Sequence, residues 1–259
     1  MAYKVIDVSY HNGIIDWNKV KEDGVDGAII RCGYGDNIAA QDDKQWRRNA
    51  DECTRLGIPF GVYLYSYAKS SAQARSEAEH VLRLIKGYRL SYPVYYDLEE
   101  AGCEAYTVQN AIIFGDIIEQ AGYWCGIYAN NHWFNSVIKD KLDRFTKWIA
   151  RYSSNKPDKA CDMWQYTSSG RVDGVSGVVD INECYRDFPK ETGSIPGINN
   201  HPAQKKNDVQ EFLAYIASAD VHKLASEVMA GKYGDGVVRK VVLGNRYEEV
   251  QAVVNRMNK

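Results

Sequence analysis

Eight strand-like runs punctuate the first 184 residues, and stretches with helical texture separate the first six of them. The strands read YKVIDVS (3–9), GAIIRCG (27–33), FGVYLYSYA (60–68), PVYYDLE (93–99), CGIYAN (125–130), KWIARY (147–152), MWQYTS (163–168) and VVDINEC (178–184). The helical stretches cover roughly 16–23, 42–56, 70–87, 106–121 and 132–142. The clearest is SAQARSEAEHVLRLIKG, with strong helix formers, apolar residues at Ala78, Val81, Leu82 and Ile85, and a glycine stop at Gly87. Alternation of this kind requires a mainly parallel sheet, because every crossover returns the chain to the same end. Eight strands suggest closure into a barrel. The gaps between the last three are too short for a crossover helix. The expected fold is therefore α/β, an irregular (β/α) barrel whose final strands are joined by loops. A doubly wound open sheet is the alternative, and no GxGxxG fingerprint supports it.

The texture changes at PKETGSIPGINNHPAQKK, which is rich in Pro, Gly, Asn and Lys and has no period. It reads as a linker over 189–206, closing a barrel domain over 1–188. Residues 207–259 then read as a small all-α domain of three helices. Their apolar stripes are Val209, Phe212, Leu213 and Ile216; Leu224, Ala225, Val228 and Met229; and Val250, Val253, Val254 and Met257.

Charge narrows the function. The formal net charge is −2, whereas nucleic-acid binding needs an excess of Lys and Arg on one face. No apolar run approaches the ~20 residues that span a bilayer, so membrane insertion is not expected. The N-terminal MAYKVIDVSYHNG lacks a signal peptide's apolar core, which points to synthesis in the cytoplasm without a signal. The six cysteines form no CxxC pair and have no His at zinc spacing, which favours reduced, structural thiols.

The chemistry concentrates at PVYYDLEE. Side chains alternate along a strand, so Tyr95, Asp97 and Glu99 share one face. In a barrel the strand ends form the catalytic mouth. Asp7, in VIDVS, and Asp180, in VVDIN, are placed similarly on the first and last strands, which are neighbours in a closed barrel. A single acid at a strand end commonly caps a helix; four converging on one cavity do something else. Crowding raises at least one pKa and keeps that carboxyl protonated. A protonated acid beside an ionised one is what acetal cleavage requires. Two acids on one strand cannot easily flank a glycosidic bond. They suit a sugar carrying a 2-acetamido group: Glu99 protonates the leaving oxygen while Asp97 orients the acetamido nitrogen for attack by its own carbonyl.

Nineteen tyrosines and six tryptophans fit a carbohydrate ligand, whose C–H faces stack on flat rings. Tyr63, Tyr65 and Tyr67 share a strand face; Tyr128, Trp164 and Tyr166 end later strands; Arg31 ends the second. Tyr128 and Trp164 are the preferred sugar platforms.

At these residues the chain resembles a known family. VIDVSYHNGIIDW, YYDLEE, GIYAN, MWQYTSSGRVDG and VVDIN, in this order over residues ~3–188, are similar to the glycoside hydrolase family 25 lysozymes of bacteriophage endolysins and bacterial autolysins. The resemblance implies N-acetylmuramidase activity on peptidoglycan glycan strands. It also implies Glu99 as general acid/base, Asp97 as its partner, and Asp7 and Asp180 as supporting acids. No cofactor is implied. The enzyme is expected to act on the cell wall after release. LASEVMAGKYGDGVVRKVVLGNRYEEVQAVVNRM (224–257) resembles the small CW_7-type cell-wall-binding repeat, which implies muropeptide recognition, with Tyr233, Asp235 and Arg239 as candidate contacts.

Two rival readings use the same residues. A metal-dependent barrel hydrolase could bind a hard cation through Asp7, His11, Asp97, Glu99 and Asp180, although the first strand has no HxH pair. A catalytically weak peptidoglycan-binding protein would not need the full set of acids.

Overall fold

The computed structural model describes residues 2–193, 215–229, 239–240 and 243–257. The chain divides into two compact units, Met1–His201 and Pro202–Lys259.

The first unit is a closed eight-stranded barrel. Its strands are β1 (Tyr3–Val8), β2 (Gly27–Tyr34), β3 (Phe60–Tyr65), β4 (Val94–Asp97), β5 (Cys125–Asn130), β6 (Thr146–Ala150), β7 (Met163–Gly170) and β8 (Val179–Cys184). Pairing is parallel from β1 through β7. β8 runs antiparallel to both of its neighbours, β7 and β1. The short link after β7 holds no helix, so the chain turns back as a hairpin.

The helices that cover the barrel are α1 (Trp17–Glu22), α2 (Trp46–Leu56), α3 (Ser71–Ile85) and α4 (Thr107–Gln120). Ser70 caps α3, its side chain accepting from Gln73 N. Gly87, just beyond, takes a positive φ of 91°, which a side chain would strain. Ala74, Ala78, Val81, Leu84 and Ile85 on its inner face are buried. This layer packs on outward-facing Ile6, Ile30, Val62, Val94 and Ile127.

Alternate residues point inward. Val5, Ile29, Tyr95, Trp148, Met163 and Cys184 fill the barrel below its mouth. Tyr95 and Trp148 meet edge to face with centroids 5.1 Å apart. A Cβ at Gly126 would collide with the Tyr95 ring and Thr146 Oγ1, so only glycine leaves β5 room beside them.

Three expectations need correction here. β3 ends at Tyr65 and not at 68, because Tyr67 N leaves the ladder to donate to Glu77 Oε1 (2.8 Å). The expected helix over 132–142 is a short turn, Asn131–Trp133, that widens into a π-helical turn, Phe134–Ile138. Lys139, at φ 53°, ends it. Asn135, Ser136, Val137 and Ile138 are poor helix formers, and burial of Trp133, Phe134 and Ile138 decides the geometry instead. The linker does not begin at 189. Asp187 caps a helical turn, Phe188–Glu191, in which Pro189 sits where its missing N–H costs nothing. Phe188 is fully buried against Tyr92 and Trp124. The rest of the expected linker, 194–206, lies outside the described residues.

In the second unit, helices cover Val221–Met229 and Tyr247–Met257. Ile216, Leu224, Ala225, Val228, Val250, Val253 and Val254 form one core with Leu243. Met229 and Met257, expected on the same stripes, are about half exposed at their helix ends. Of the expected first helix, Val209, Phe212 and Leu213 lie outside the described residues. Among the described residues no helix is long and apolar enough to cross a membrane. All six cysteines are free, and only Cys161 is not fully buried.

Candidate active site

A cavity of about 430 Å³ opens at the mouth of the barrel, and Asp7, Asp97, Glu99 and Asp180 all line it. Asp97 is the last residue of β4, and Glu99 stands in the segment just beyond it. Asp7 is the penultimate residue of β1. Asp180 arrives by a different route from the one expected. It lies near the N-terminal end of β8, and the reversed direction of that strand carries it to the same mouth. Asp7 and Asp180 are direct partners in the β1–β8 register.

Burial acts on all four acids, and the charge of a neighbouring acid adds to it at Asp7, Asp97 and Glu99. Asp97 is 3% exposed, and its pKa is driven well up by burial, then by the charges of Glu99 and Asp7, with Arg31 opposing. Its Oδ1 is buried without a hydrogen-bond partner. Burial and the Asp180 charge push Asp7 up to about 8, against hydrogen bonds from Asn182 and Gln165. Glu99 is raised by burial and then by Asp180 and Glu100. Burial also raises Asp180. A site of this kind retains protons at neutral pH and shares them as a unit.

A chain of donors holds Asp7 in place. Gln165 Nε2 (2.9 Å) and Asn182 Nδ2 (2.8 Å) both donate to its Oδ2. Tyr128 OH and Tyr152 OH each donate to Gln165 Oε1 at 2.9 Å. Trp148 Nε1 donates to Asn182 Oδ1 at 2.7 Å. The two amides thus have their oxygens occupied and their nitrogens aimed at the carboxylate. A second support lies behind β4. Buried Glu77 on α3 accepts at Oε2 from Ser66 Oγ (2.8 Å) and from Tyr96 OH. Ser66 N in turn donates to the Asp97 carbonyl at 3.0 Å. Glu100, the last acid of the run, accepts from Tyr65 OH at 2.9 Å.

Tyr63, Tyr65, Tyr128 and Arg31 line the cavity as expected from their strand faces. Trp164 and Tyr166 do not. On β7 it is Gln165 that faces the cavity, so its neighbours point outward. Trp164 is buried, with Nε1 donating to the Arg151 carbonyl at 2.9 Å. The sequence reading missed Trp148, Tyr152, Gln165 and Asn182. Two signals were available: Asn182 follows Asp180 at i+2, and Gln165 is a lone amide between two aromatics on a strand. Among the described residues no group of three His, Cys, Asp or Glu is arranged to hold a metal ion. Of the candidate wall contacts, Tyr233 and Asp235 lie outside the described residues, and Arg239 Nη1 donates to Gln251 Oε1 at 3.2 Å.

Comparison with known proteins adds independent findings. The family model for glycosyl hydrolases family 25 matches residues 6–175, and that for the CW_7 repeat matches 222–257. The autolytic lysozyme of Clostridium acetobutylicum is 28% identical over 184 residues, which are 70% of this chain and 55% of that protein. The modular autolysin LytC of Streptococcus pneumoniae superposes with a TM-score of 0.64 at 34% identity, covering 71% of this chain and 47% of that one. It has also been solved with a synthetic peptidoglycan ligand. The catalytic domain of endolysin ply40, from bacteriophage P40 of Listeria monocytogenes, superposes with a TM-score of 0.67 at 27% identity, covering 74% of this chain and 97% of that domain. The chain spans about half the length of the clostridial lysozyme and of LytC.

Proposed function

The chain belongs to glycosyl hydrolase family 25, and we propose that it is an N-acetylmuramidase, a lysozyme that cleaves the β-1,4 bond between N-acetylmuramic acid and N-acetylglucosamine in bacterial peptidoglycan. The observation that carries this reading is the ring of four carboxyls around one cavity, with Asp97 and Glu99 side by side at the end of a single strand.

Glu99 is the general acid. Its raised pKa keeps a proton available for the leaving oxygen of the scissile bond. Asp97 offers a buried oxygen with no protein partner, suited to accept the N–H of a 2-acetamido group. An ionised carboxylate and a neutral carboxyl both keep an acceptor oxygen, so that contact survives sharing of protons within the cluster. The acetamido carbonyl then attacks the anomeric carbon as the leaving oxygen takes the Glu99 proton. Glu99, now ionised, draws a proton from the water that opens the resulting ring. Asp7 and Asp180 are the supporting acids, and the negative charge that the cluster retains as a unit lies beneath the developing positive charge on the sugar. Tyr63, Tyr65, Tyr128 and Arg31 form the walls for the glycan.

The second unit is a wall-binding module that recognises muropeptide, a reading supported by the match to the CW_7 repeat. The barrel domain, carried past the Phe188–Glu191 turn, and the three-helix domain over 207–259 then divide cleavage from attachment. A phage endolysin, made in the cytoplasm and released onto the wall, fits this organisation, with the likeness to the ply40 catalytic domain in support.

Mass spectrometry of purified peptidoglycan after digestion tests the bond. Muramic acid at the new reducing ends is the expected result; glucosamine there overturns the assignment.

A further inference from the structure

The acidic cavity adjoins a second one of about 370 Å³, and the two share His11, Arg31 and Tyr65. Tyr10, Tyr34, Tyr67 and Lys44 add to the walls of the second, with Asp42 and Asp43. Where the first is lined by four acids, this one has two cations beside its two carboxylates. Asp43 is already engaged: Oδ2 accepts from Arg31 Nε at 2.8 Å and Tyr10 N at 3.0 Å, and Oδ1 accepts from Gln45 N at 2.9 Å. Asp42 is held by Arg83 through both oxygens and by His80 Nε2. Arg31 spends its Nε on Asp43 and keeps a donor to spare. Arg31 Nη2 is buried with no hydrogen-bond partner. Lys44, exposed on its main-chain turn, carries its ammonium 5.7 Å from the centroid of the Tyr10 ring. The Arg31 guanidinium lies 5.0 Å from the same centroid.

A buried guanidinium N–H without an acceptor calls for an anion, and a planar carboxylate is its best complement. The four acids next door repel the same group. A polymer threading both cavities is therefore sorted by charge, with neutral sugar in the acidic cavity and its anionic substituent in the other. We propose that the second cavity receives the carboxylate-bearing peptide attached to the lactyl group of N-acetylmuramic acid, with Arg31 Nη2 and Lys44 Nζ as its donors. This rests on the muramidase reading above.

Peptidoglycan glycan strands are prepared with their peptides and, in parallel, stripped of them by an amidase, the lactyl carboxylates so exposed being capped as methylamides to leave no anion. Reducing ends released by the full chain are followed on both, for the wild type and for Lys44→Ala, Lys44→Glu and Lys44→Arg. The wild type is expected to favour peptide-bearing strands by about three- to tenfold in kcat/KM. Lys44→Ala removes most of that ratio through KM, Lys44→Glu lowers it further, and Lys44→Arg restores it. Lys44 is exposed, so these variants fold. Equal cleavage of both strands by the wild type overturns the peptide site while leaving the muramidase intact. So does a preference that all Lys44 variants keep. No cleavage of either strand removes the muramidase reading and this inference with it.

Discussion

Asp7 and Asp180 stand directly opposite each other across the antiparallel β1–β8 pair. Residues so paired project to the same face with Cβ atoms about 4.5–5.5 Å apart, and like charges there destabilise the sheet. The barrel keeps the pair because it closes with a reversed strand. A parallel β8 would have put the N-terminal end of that strand, and Asp180 with it, at the far end of the barrel. The cost falls on Asp7, which is 6% exposed and raised to about 8.

That cost makes Asp7 a lever on stability. Its folded pKa is raised above the ordinary carboxylate value, so its contribution is fully present below about 4 and is lost as pH rises toward 8. Asp7→Asn removes the titration while leaving an oxygen for Gln165 and Asn182. The variant is expected to melt higher than the wild type, with a margin that widens from pH 4 to pH 8 and an activity that falls. Each kcal/mol gained appears as about 2–4 °C. Calorimetry across that range checks it, and a margin that narrows with pH contradicts it.

The barrel was legible because its cause is local. Period-2 strands, α3's apolar face and the glycine stop at Gly87 are written in short windows. The convergence of Asp7, Asp97, Glu99 and Asp180 was legible too, since strand order and strand ends follow from that alternation. What sequence hid is the face chosen by β7. Trp164–Gln165–Tyr166 has aromatics on one side and an amide on the other, and composition alone assigns the aromatics inward. Asp7 decides otherwise: a buried carboxylate needs donors, and Gln165 supplies one at 2.9 Å. Phe188 was hidden similarly, because Pro189 beside it looks like linker until the hydrophobic contact with Tyr92 is seen.

Catalysis depends on a proton held at Glu99. Its pKa is raised, so activity is expected to fall as pH climbs through that raised value, on the alkaline limb of the profile. Glu99→Gln, which keeps the shape and removes the proton transfer, is expected to lower reducing-end release by about 10²–10⁴-fold, with pelleting onto cell walls unchanged. A variant that keeps even a tenth of wild-type turnover takes Glu99 out of the acid role.

Gln165 acts through Asp7, so it is a positioning residue. Gln165→Leu removes the Nε2 donor to Asp7 and leaves Tyr128 OH and Tyr152 OH without their shared acceptor. One opposing hydrogen bond fewer raises the Asp7 pKa further. The pH–rate profile is expected to move upward in pH while KM changes little. Gln165→Glu should move it further, by adding charge. A profile that shifts with neither variant means that Gln165 serves packing alone.

Behind β4, Glu77 gathers the Ser66 and Tyr96 hydroxyls and the Tyr67 N–H in a site only 1% exposed. Glu77→Ala strands the Tyr67 N–H and one of the two hydroxyls, since Ser66 Oγ can still donate to Tyr96 OH at 2.9 Å, at about 1–3 kcal/mol for each donor left unsatisfied. Because Ser66 N also holds the Asp97 carbonyl, activity is expected to drop with stability. Glu77→Gln retains an acceptor oxygen and should recover most of both. Urea titration of the three proteins separates the cases, and equal midpoints would dismiss the network as a support.

The end of the barrel can be located by truncation. A chain ending at Asp187 loses Phe188, which is 0% exposed and packed on Tyr92 and Trp124. It also loses Thr192, whose Oγ1 donates to the Phe188 carbonyl at 2.8 Å, and the Gly193 carbonyl, which accepts from Arg89 Nη2 at 3.1 Å. Emptying a buried Phe site costs about 3–5 kcal/mol. A chain ending at His201 keeps all of these contacts and should melt roughly 10 °C above the shorter one, taking about 2–4 °C per kcal/mol. It should also cleave soluble glycan strands at the full-length rate while pelleting less with walls. Two truncations that melt together would return the boundary to residue 188 and leave Phe188 without a structural task.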